Sequence, residues 1–276
     1  GCTGVVCLGI MGEAVRLSDE ERRRVVQRVT REAAGRLTVT VGTTAPGMEL
    51  AVRQSVEAQQ LGADAVMAAP PPVTKQNLET VFAYFQGIAA STDIDLVVQD
   101  HPVESGVFMP PVFIQRLSEQ IENAHWLKLE ERPTPSKVTA VKQLTAGKLG
   151  IFGGLGGVFL LEELARGACG TMTGFAFPEV LVNTYRLMME GKKEEAAQHF
   201  FTYLPLIRYE SQEGIGLSIR KEILKDVKRV VIKIGSSVIS DSSKEGLARG
   251  LSHAAIRRIV KQIKRIVESG RQVVLV

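Results

Sequence analysis

His125-Trp126-Leu127-Lys128-Leu129-Glu130 places one lysine inside an apolar, strand-like run about halfway along the chain. Burying an ammonium costs several kcal/mol unless it is paired or neutralised, so a lysine pointing into a protein interior is commonly there for chemistry. The opposite reading is a strand-end lysine that lays its stem along apolar surface and keeps its charge in water. The residues on either side decide between the two.

Working outward, short apolar runs alternate with amphipathic ones. Upstream lie strand-like segments at 4–8, 37–41, 65–69 and 96–99, separated by helical patterns that begin at Asp19 behind a Ser18 N-cap and span 51–61 and 78–90. Downstream, helices are expected over 112–121, 136–144, 159–165 and 178–189, with strands at 151–154 and 170–173 between them. Strands that each lead into a helix form parallel βαβ units, and continuous apolar strands need both faces covered. Seven such units are one short of a closed barrel. The expected fold class is therefore α/β, a (β/α)8 TIM barrel lacking its first strand-helix unit. Two further helices follow over 192–224.

The chain of 276 residues is 45% hydrophobic, enough for a substantial core. Its net charge of +4 is unevenly placed. Residues 225–276 hold 12 Lys and Arg against 4 Asp and Glu, whereas residues 1–224 hold 22 against 26. The basic balance belongs to the tail, which argues against a nucleic-acid partner and marks a boundary between two unequal parts, 1–224 and 225–276. No apolar run reaches the ~18 residues of a membrane span, and no signal core opens the chain, so the expectation is a cytoplasmic protein without a membrane partner. Cys2, Cys7 and Cys169 form no CxxC pair, and His101, His125, His199 and His253 have no ligand spacing. Neither a metal nor a cofactor is expected.

In parallel barrels the reactive groups gather at the C-terminal ends of the strands. Those ends carry Gly9-Ile10-Met11-Gly12-Glu13, Pro70-Pro71, Gln99-Asp100-His101-Pro102-Val103-Glu104, Lys128, Gly153-Gly154-Leu155-Gly156-Gly157 and Thr171-Met172. This set, in this order over residues 1–224, resembles the dihydrodipicolinate synthase/N-acetylneuraminate lyase family. The resemblance implies a (β/α)8 barrel with extra C-terminal helices, a homo-oligomer, and a Schiff base between a strand lysine and a small 2-oxo acid such as pyruvate. Lys128 falls on that lysine. Gly9, Ile10, Met11, Gly12, Glu104, Gly153, Gly154 and Met172 fall around the substrate pocket, the glycines leaving room for substrate.

Departures from the family pattern are equally specific. Ile10 and Met11 stand where the family usually has two threonines, leaving backbone N–H groups as the donors for a substrate carboxylate. Gln99 stands where the family usually has a tyrosine that relays protons; an amide can orient a partner but cannot shuttle a proton at neutral pH. Pro72 and Val73 replace a tyrosine pair, and Glu104 replaces an arginine that binds the second substrate's carboxylate, where a like charge repels. A true dihydrodipicolinate synthase is not expected. Proton transfer is left to Asp100, His101, Glu104 or Glu130, although His101 can equally shape a turn and Glu130-Glu131 can equally be a solvated strand end.

Residues 226–276 resemble the start of glutamate 5-kinase, an amino-acid kinase. Lys233 and Gly235-Ser236-Ser237 match that family's phosphate-binding segment, where a glycine turn supplies N–H donors and a lysine a point charge. The chain ends inside a strand-like run, so the expectation is a fusion or fragment product. Its function is expected to be a Schiff-base lyase, aldolase or dehydratase on a small 2-oxo acid, with Lys128 as nucleophile and Gln99 orienting. The alternatives are a barrel that has lost catalysis and binds ligands or assembles, and an ATP-dependent kinase activity carried by the tail.

Overall fold

The computed structural model describes residues 1–72, 75–212, 214–225, 229–232 and 272–275. It contains two compact units, Gly1–Leu217 and Ser218–Val276. The first is built from β1 (Gly4–Cys7), α1 (Asp19–Ala33), β2 (Thr38–Gly42), α2 (Met48–Gln60), β3 (Ala65–Ala68), α3 (Leu78–Ala89), β4 (Asp95–Asp100), a short α4 (Pro102–Ser105), α5 (Pro111–Gln120), β5 (Trp126–Leu129), α6 (Thr134–Leu144), β6 (Gly150–Gly153), α7 (Leu160–Ala165), β7 (Gly170–Thr171), α8 (Pro178–Met189) and α9 (Lys193–Glu210). Helix α10 (Gly216–Lys225) follows. In the second unit β8 (Arg229–Ile232) pairs in parallel with β9 (Gln272–Leu275). Lys233, Gly235, Ser236 and Ser237 lie outside the described residues, as does Val73.

Local chemistry starts the helices where the sequence places them. Ser18 caps α1 through a reciprocal box with Glu21, each side chain bonding the other's backbone N–H. Proline occupies the first turn of α5, α6 and α8, where its missing N–H costs no hydrogen bond. Helices α2, α5 and α6 start one to three residues earlier than their apolar periodicity suggests. Helix α4 has no apolar pattern at all and is capped by His101, whose Nδ1 accepts the Glu104 N–H at 3.3 Å.

All seven strands are parallel and pair in sequence order, β1 to β7. The sheet curls, bringing the first residue of the chain against Val182 of α8. Alternation along the strands then sorts side chains onto two faces. One set, including Val39, Val66, Leu96, Leu127 and Ile151, packs outward under the helices in the main core. The other set points inward: Ala65, Met67 and Val97 form a small interior cluster with Trp126 and Met172, and Phe152 stacks on Trp126 with ring centroids 5.4 Å apart. Strands β1 and β7 pair on one side only among the described residues. On β1 the outward Val5 and Cys7 are packed, while inward-facing Val6 is 40% exposed, because no strand among the described residues pairs with its other edge. A third apolar cluster joins α7, α8 and α9 through Leu160, Leu181, Phe200 and Ile207.

Candidate active site

Parallel register fixes what stands beside Lys128. On the β4/β5 ladder Val97 pairs with Trp126 and Gln99 with Lys128, and on the β5/β6 ladder Lys128 pairs with Phe152. Lys128 therefore shares the inward face with Trp126, one layer nearer the strand C-termini, above an apolar floor of Met67, Val97 and Trp126. Its side chain is 13% exposed, which answers the snorkelling alternative: the ammonium is inside the curl of the sheet.

Glu130, two residues on and hence on the same face, balances that charge. Its Oε2 lies 3.1 Å from Lys128 Nζ and accepts a 2.7 Å hydrogen bond from Gln99 Nε2, and its Oε1 faces the Leu155 N–H at 3.4 Å. At 7% exposure it is no solvated strand end. Gln99, also buried, orients a carboxylate. The structure thus brings together a primary amine, a carboxylate and an amide that aims the second at the first, groups of the kinds that covalent and acid/base chemistry use.

The glycines after β6 make this arrangement sterically possible. A Cβ on Gly154 would overlap the Glu130 carboxyl, and one on Gly153 would overlap Oε2 of Glu163 on α7. The room that these glycines leave is filled by two protein carboxyls approaching one strand end from opposite sides, whereas the sequence suggested space for substrate. Gly154→Ala is expected to cost about 1–3 kcal/mol by overpacking, read as a fall in thermal midpoint. It should also lengthen the contact between Lys128 and Glu130, because the Glu130 carboxyl must move to make room.

Glu163 is 1% exposed and accepts a hydrogen bond from Thr134 Oγ1 at 2.5 Å, while Oε2 has no partner among the described residues. Burial pushes its carboxyl up from 4.5 to about 7, with the charges of Glu162 and Glu130 adding to the push. Because the folded state holds this proton more tightly than the unfolded chain, its stabilising effect is complete below pH 4.5 and is lost as pH rises through about 7. The loss over that window is about 3 kcal/mol. In Glu163→Gln, which mimics the protonated acid, denaturant titrations from pH 4.5 to 8 should show that part of the slope removed.

A second buried charge group lies alongside. Lys137 Nζ on α6 contacts Asp100 Oδ2 at 2.6 Å, Glu131 Oε2 at 2.5 Å and the Met109 carbonyl at 2.7 Å. Asp100 is fully buried, and burial outweighs the attraction of Lys137, pushing its carboxyl up to about 6.

The other sequence candidates occupy the rim. Gly9 sits beside Met67, so the loop after β1 opens onto the interior cluster. Its N–H groups at Gly12 and Glu13 bond within the loop, to Gly9 and Ile10 carbonyls, and Met11 is exposed. Met172 bonds the Gly153 carbonyl through its N–H and packs on the interior cluster. Glu104 is exposed on α4, and no hydrogen bond or ion pair among the described residues ties it to Lys128, Glu130 or Gln99. His101 serves as a helix cap. No cluster of His, Cys, Asp or Glu that could hold a metal ion occurs among the described residues, and no described helix is long and apolar enough to cross a membrane.

Seven parallel β/α units curled around an interior lysine define a TIM-barrel-like protein, with Lys128 and Glu130 toward the strand C-termini. The sequence pattern of the Dihydrodipicolinate synthetase family matches residues 1–239, and the chain belongs to that family. Among its relatives, L-2-keto-3-deoxyarabonate dehydratase of Azospirillum brasilense is 28% identical over 230 residues, covering 82% of this chain and 74% of that protein. The 4-hydroxy-tetrahydrodipicolinate synthase of Methanothrix thermoacetophila is 31% identical over 212 residues, covering 75% of this chain and 70% of that protein. The crystal structure of dihydrodipicolinate synthase from Rhodopseudomonas palustris superposes with a TM-score of 0.77 at 34% identity, covering 96% of this chain and 86% of that one. The Amino acid kinase family pattern matches residues 228–276, overlapping the end of the first match.

Proposed function

We propose that this protein is a Schiff-base dehydratase acting on a 2-oxo-3-deoxy acid that carries a hydroxyl at C4. The observation that carries this reading is the contact between Lys128 and Glu130, with Gln99 holding the carboxylate in place. Support for dehydration comes from the Azospirillum brasilense relative, a dehydratase by name. The replacement of two expected site residues adds to it: with Glu104 in place of an arginine, nothing recommends a second carboxylate substrate, and with Gln99 in place of a tyrosine the available proton carrier is Glu130.

The proposed steps use the Lys128–Glu130 pair throughout. Lys128 passes a proton to Glu130, and the free amine attacks the substrate C2 carbonyl carbon. Glu130 returns its proton to the C2 oxygen, which leaves as water, giving an iminium and a carboxylate. The carboxylate then takes a C3 proton, made acidic by the iminium, and an enamine forms. Electrons flow back from the enamine to expel the C4 hydroxyl, which Glu130 protonates, so a second water leaves with the carbon chain intact. Hydrolysis consumes one water, frees Lys128 and leaves a net loss of one water. Since Ile10 and Met11 offer no hydroxyl and the Gly12 N–H bonds the Gly9 carbonyl, the substrate carboxylate is left to the N–H groups of Gly9, Ile10 and Met11.

We also propose the two-part organisation of 1–224 and 225–276, homo-oligomeric assembly, and an eighth parallel strand as the natural partner for the free β1 and β7 edges. The test is to incubate the protein with a 2-oxo-3-deoxypentonate and identify products by mass. Loss of 18 Da from the intact carbon chain supports dehydration, release of pyruvate replaces it with aldol cleavage, and binding without turnover or a reducible adduct leaves a ligand-binding barrel.

A further inference from the structure

The triad at Lys137 lies one residue away from the proposed centre on two strands. Asp100 follows Gln99 at the end of β4, and Glu131 follows Glu130 at the end of β5. Asp100 also accepts the Glu130 N–H on its carbonyl at 2.8 Å, so the two strand ends are already laced by backbone. Lys137 reaches all of this from α6 with a side chain only 8% exposed, and its third contact, the Met109 carbonyl, belongs to the loop before α5. One ammonium therefore ties three separate segments at the rim where Gln99, Lys128 and Glu130 meet. A hydrogen-bonded cation between two carboxylates, held in a buried place, fixes geometry more firmly than an exposed pair does. None of its partners faces the inward layer that holds Lys128, so its effect on the reaction must pass through the backbone.

We propose that Lys137 is a positioning residue: by holding Asp100, Glu131 and the Met109 carbonyl it fixes the ends of β4 and β5, and through them the aim of Gln99 and Glu130 at Lys128. This rests on the dehydratase reading of the site. Reactions are sensitive to placement at this scale, a misplacement of 1 Å costing roughly 10^2 in rate.

The test compares the full-length wild type, Lys137→Met, Lys137→Arg, Glu131→Gln, Glu130→Gln and the Glu130→Gln/Lys137→Met double variant on a 2-oxo-3-deoxypentonate, with rates expressed per folded molecule. Lys137→Met should lower kcat by roughly 10- to 100-fold while KM moves by less than about 3-fold, since a group that acts on aim alone is felt in the transition state. Lys137→Arg should recover most of that loss. In the Glu130→Gln background, Lys137→Met should have little further effect, because the group it aims is gone. A lysine that only stabilises the fold would lower the melting temperature, leave kcat per folded molecule unchanged and combine additively with Glu130→Gln; that result overturns the proposal. If Lys137→Met does not fold, Glu131→Gln, changed at the partly exposed partner, should still lower kcat several-fold, and an unchanged kcat there also overturns it. No turnover by the wild type overturns the dehydratase reading itself and the positioning role with it, whereas wild-type turnover with an unaffected Lys137→Met overturns the positioning role alone.

Discussion

Lys128→Ala is expected to abolish the covalent adduct that borohydride traps between the protein and pyruvate, and to lower turnover of a 2-oxo-3-deoxypentonate by roughly 10^4-fold or more, as losing the nucleophile of a covalent mechanism does. The measurement is intact mass after reduction, followed by peptide mapping to locate the modified lysine. Two alternatives inside the same chain make the mapping necessary. Lys137 is also buried near the strand ends, but its ammonium already contacts two carboxylates and a carbonyl. Exposed lysines react slowly with any carbonyl because they remain protonated in water. Lys128 differs from both, with one carboxylate 3.1 Å away that can take its proton and a place on the inward face of the sheet. An adduct mapped elsewhere, or one of undiminished yield in Lys128→Ala, would sink the assignment. The variant should fold, since removing the amine leaves Glu130 held by Gln99 and by the Leu155 N–H.

The fold was legible because its signals are local and repeated. A two-residue period fixes which strand residues share a face, and a proline or capping serine fixes where helices begin. Lys128 stood out for the same reason, as a charge inside an apolar strand. Glu130 was harder to place, because a pair of glutamates at a strand end reads equally well as a solvated terminus. The period itself held the answer: Glu130 is two residues from Lys128, so whichever face takes one takes the other. Gly153 and Gly154 were noticed as places where side chains are unwelcome, but the sequence cannot say what fills the space, and the carboxyls that do so come from β5 and α7. Lys137 gave no signal. A lysine in the first turns of an amphipathic helix normally faces water, and only the crossing of α6 over the ends of β4 and β5 buries it.

Exchanging tyrosine for Gln99 changes more than one donor. A tyrosine hydroxyl can pass a proton between substrate and bulk groups, whereas an amide can only fix its neighbour's orientation. In the proposed mechanism the proton traffic then converges on a single carboxyl, Glu130, which contacts Lys128 directly. That economy suits a reaction in which each proton taken is given back at the next step, as in iminium formation followed by loss of the C4 hydroxyl. It suits condensation with a second, separately bound substrate less well, and exposed Glu104 offers no cation for such a substrate.

The sharpest consequence falls on Glu130→Gln. Gln keeps the size of the side chain and can still meet Gln99 and the Leu155 N–H, but it cannot accept a proton, so the fold and the nucleophile should survive while proton transfer fails. Deuterium exchange at the methyl group of pyruvate in D2O isolates this step, because it needs only the iminium and a base, with no leaving group. The expected loss of exchange is roughly 10^2- to 10^4-fold, the usual worth of a positioned acid/base. A borohydride adduct on Lys128 should still accumulate on long incubation. Lys128→Ala should lose both signals, so the two variants separate the amine's role from the carboxylate's. Exchange at the wild-type rate in Glu130→Gln would move the base elsewhere on the rim. Asp100 and Glu163 are the other buried carboxyls described at these strand ends, but Asp100 is engaged by Lys137 on the far side of the β4 end, Glu163 lies against Gly153 and is bonded by Thr134, and His101 is committed to capping α4. Glu130 alone among these has an oxygen on the nucleophile, which is why its removal should fall so heavily on the step that breaks the C3–H bond.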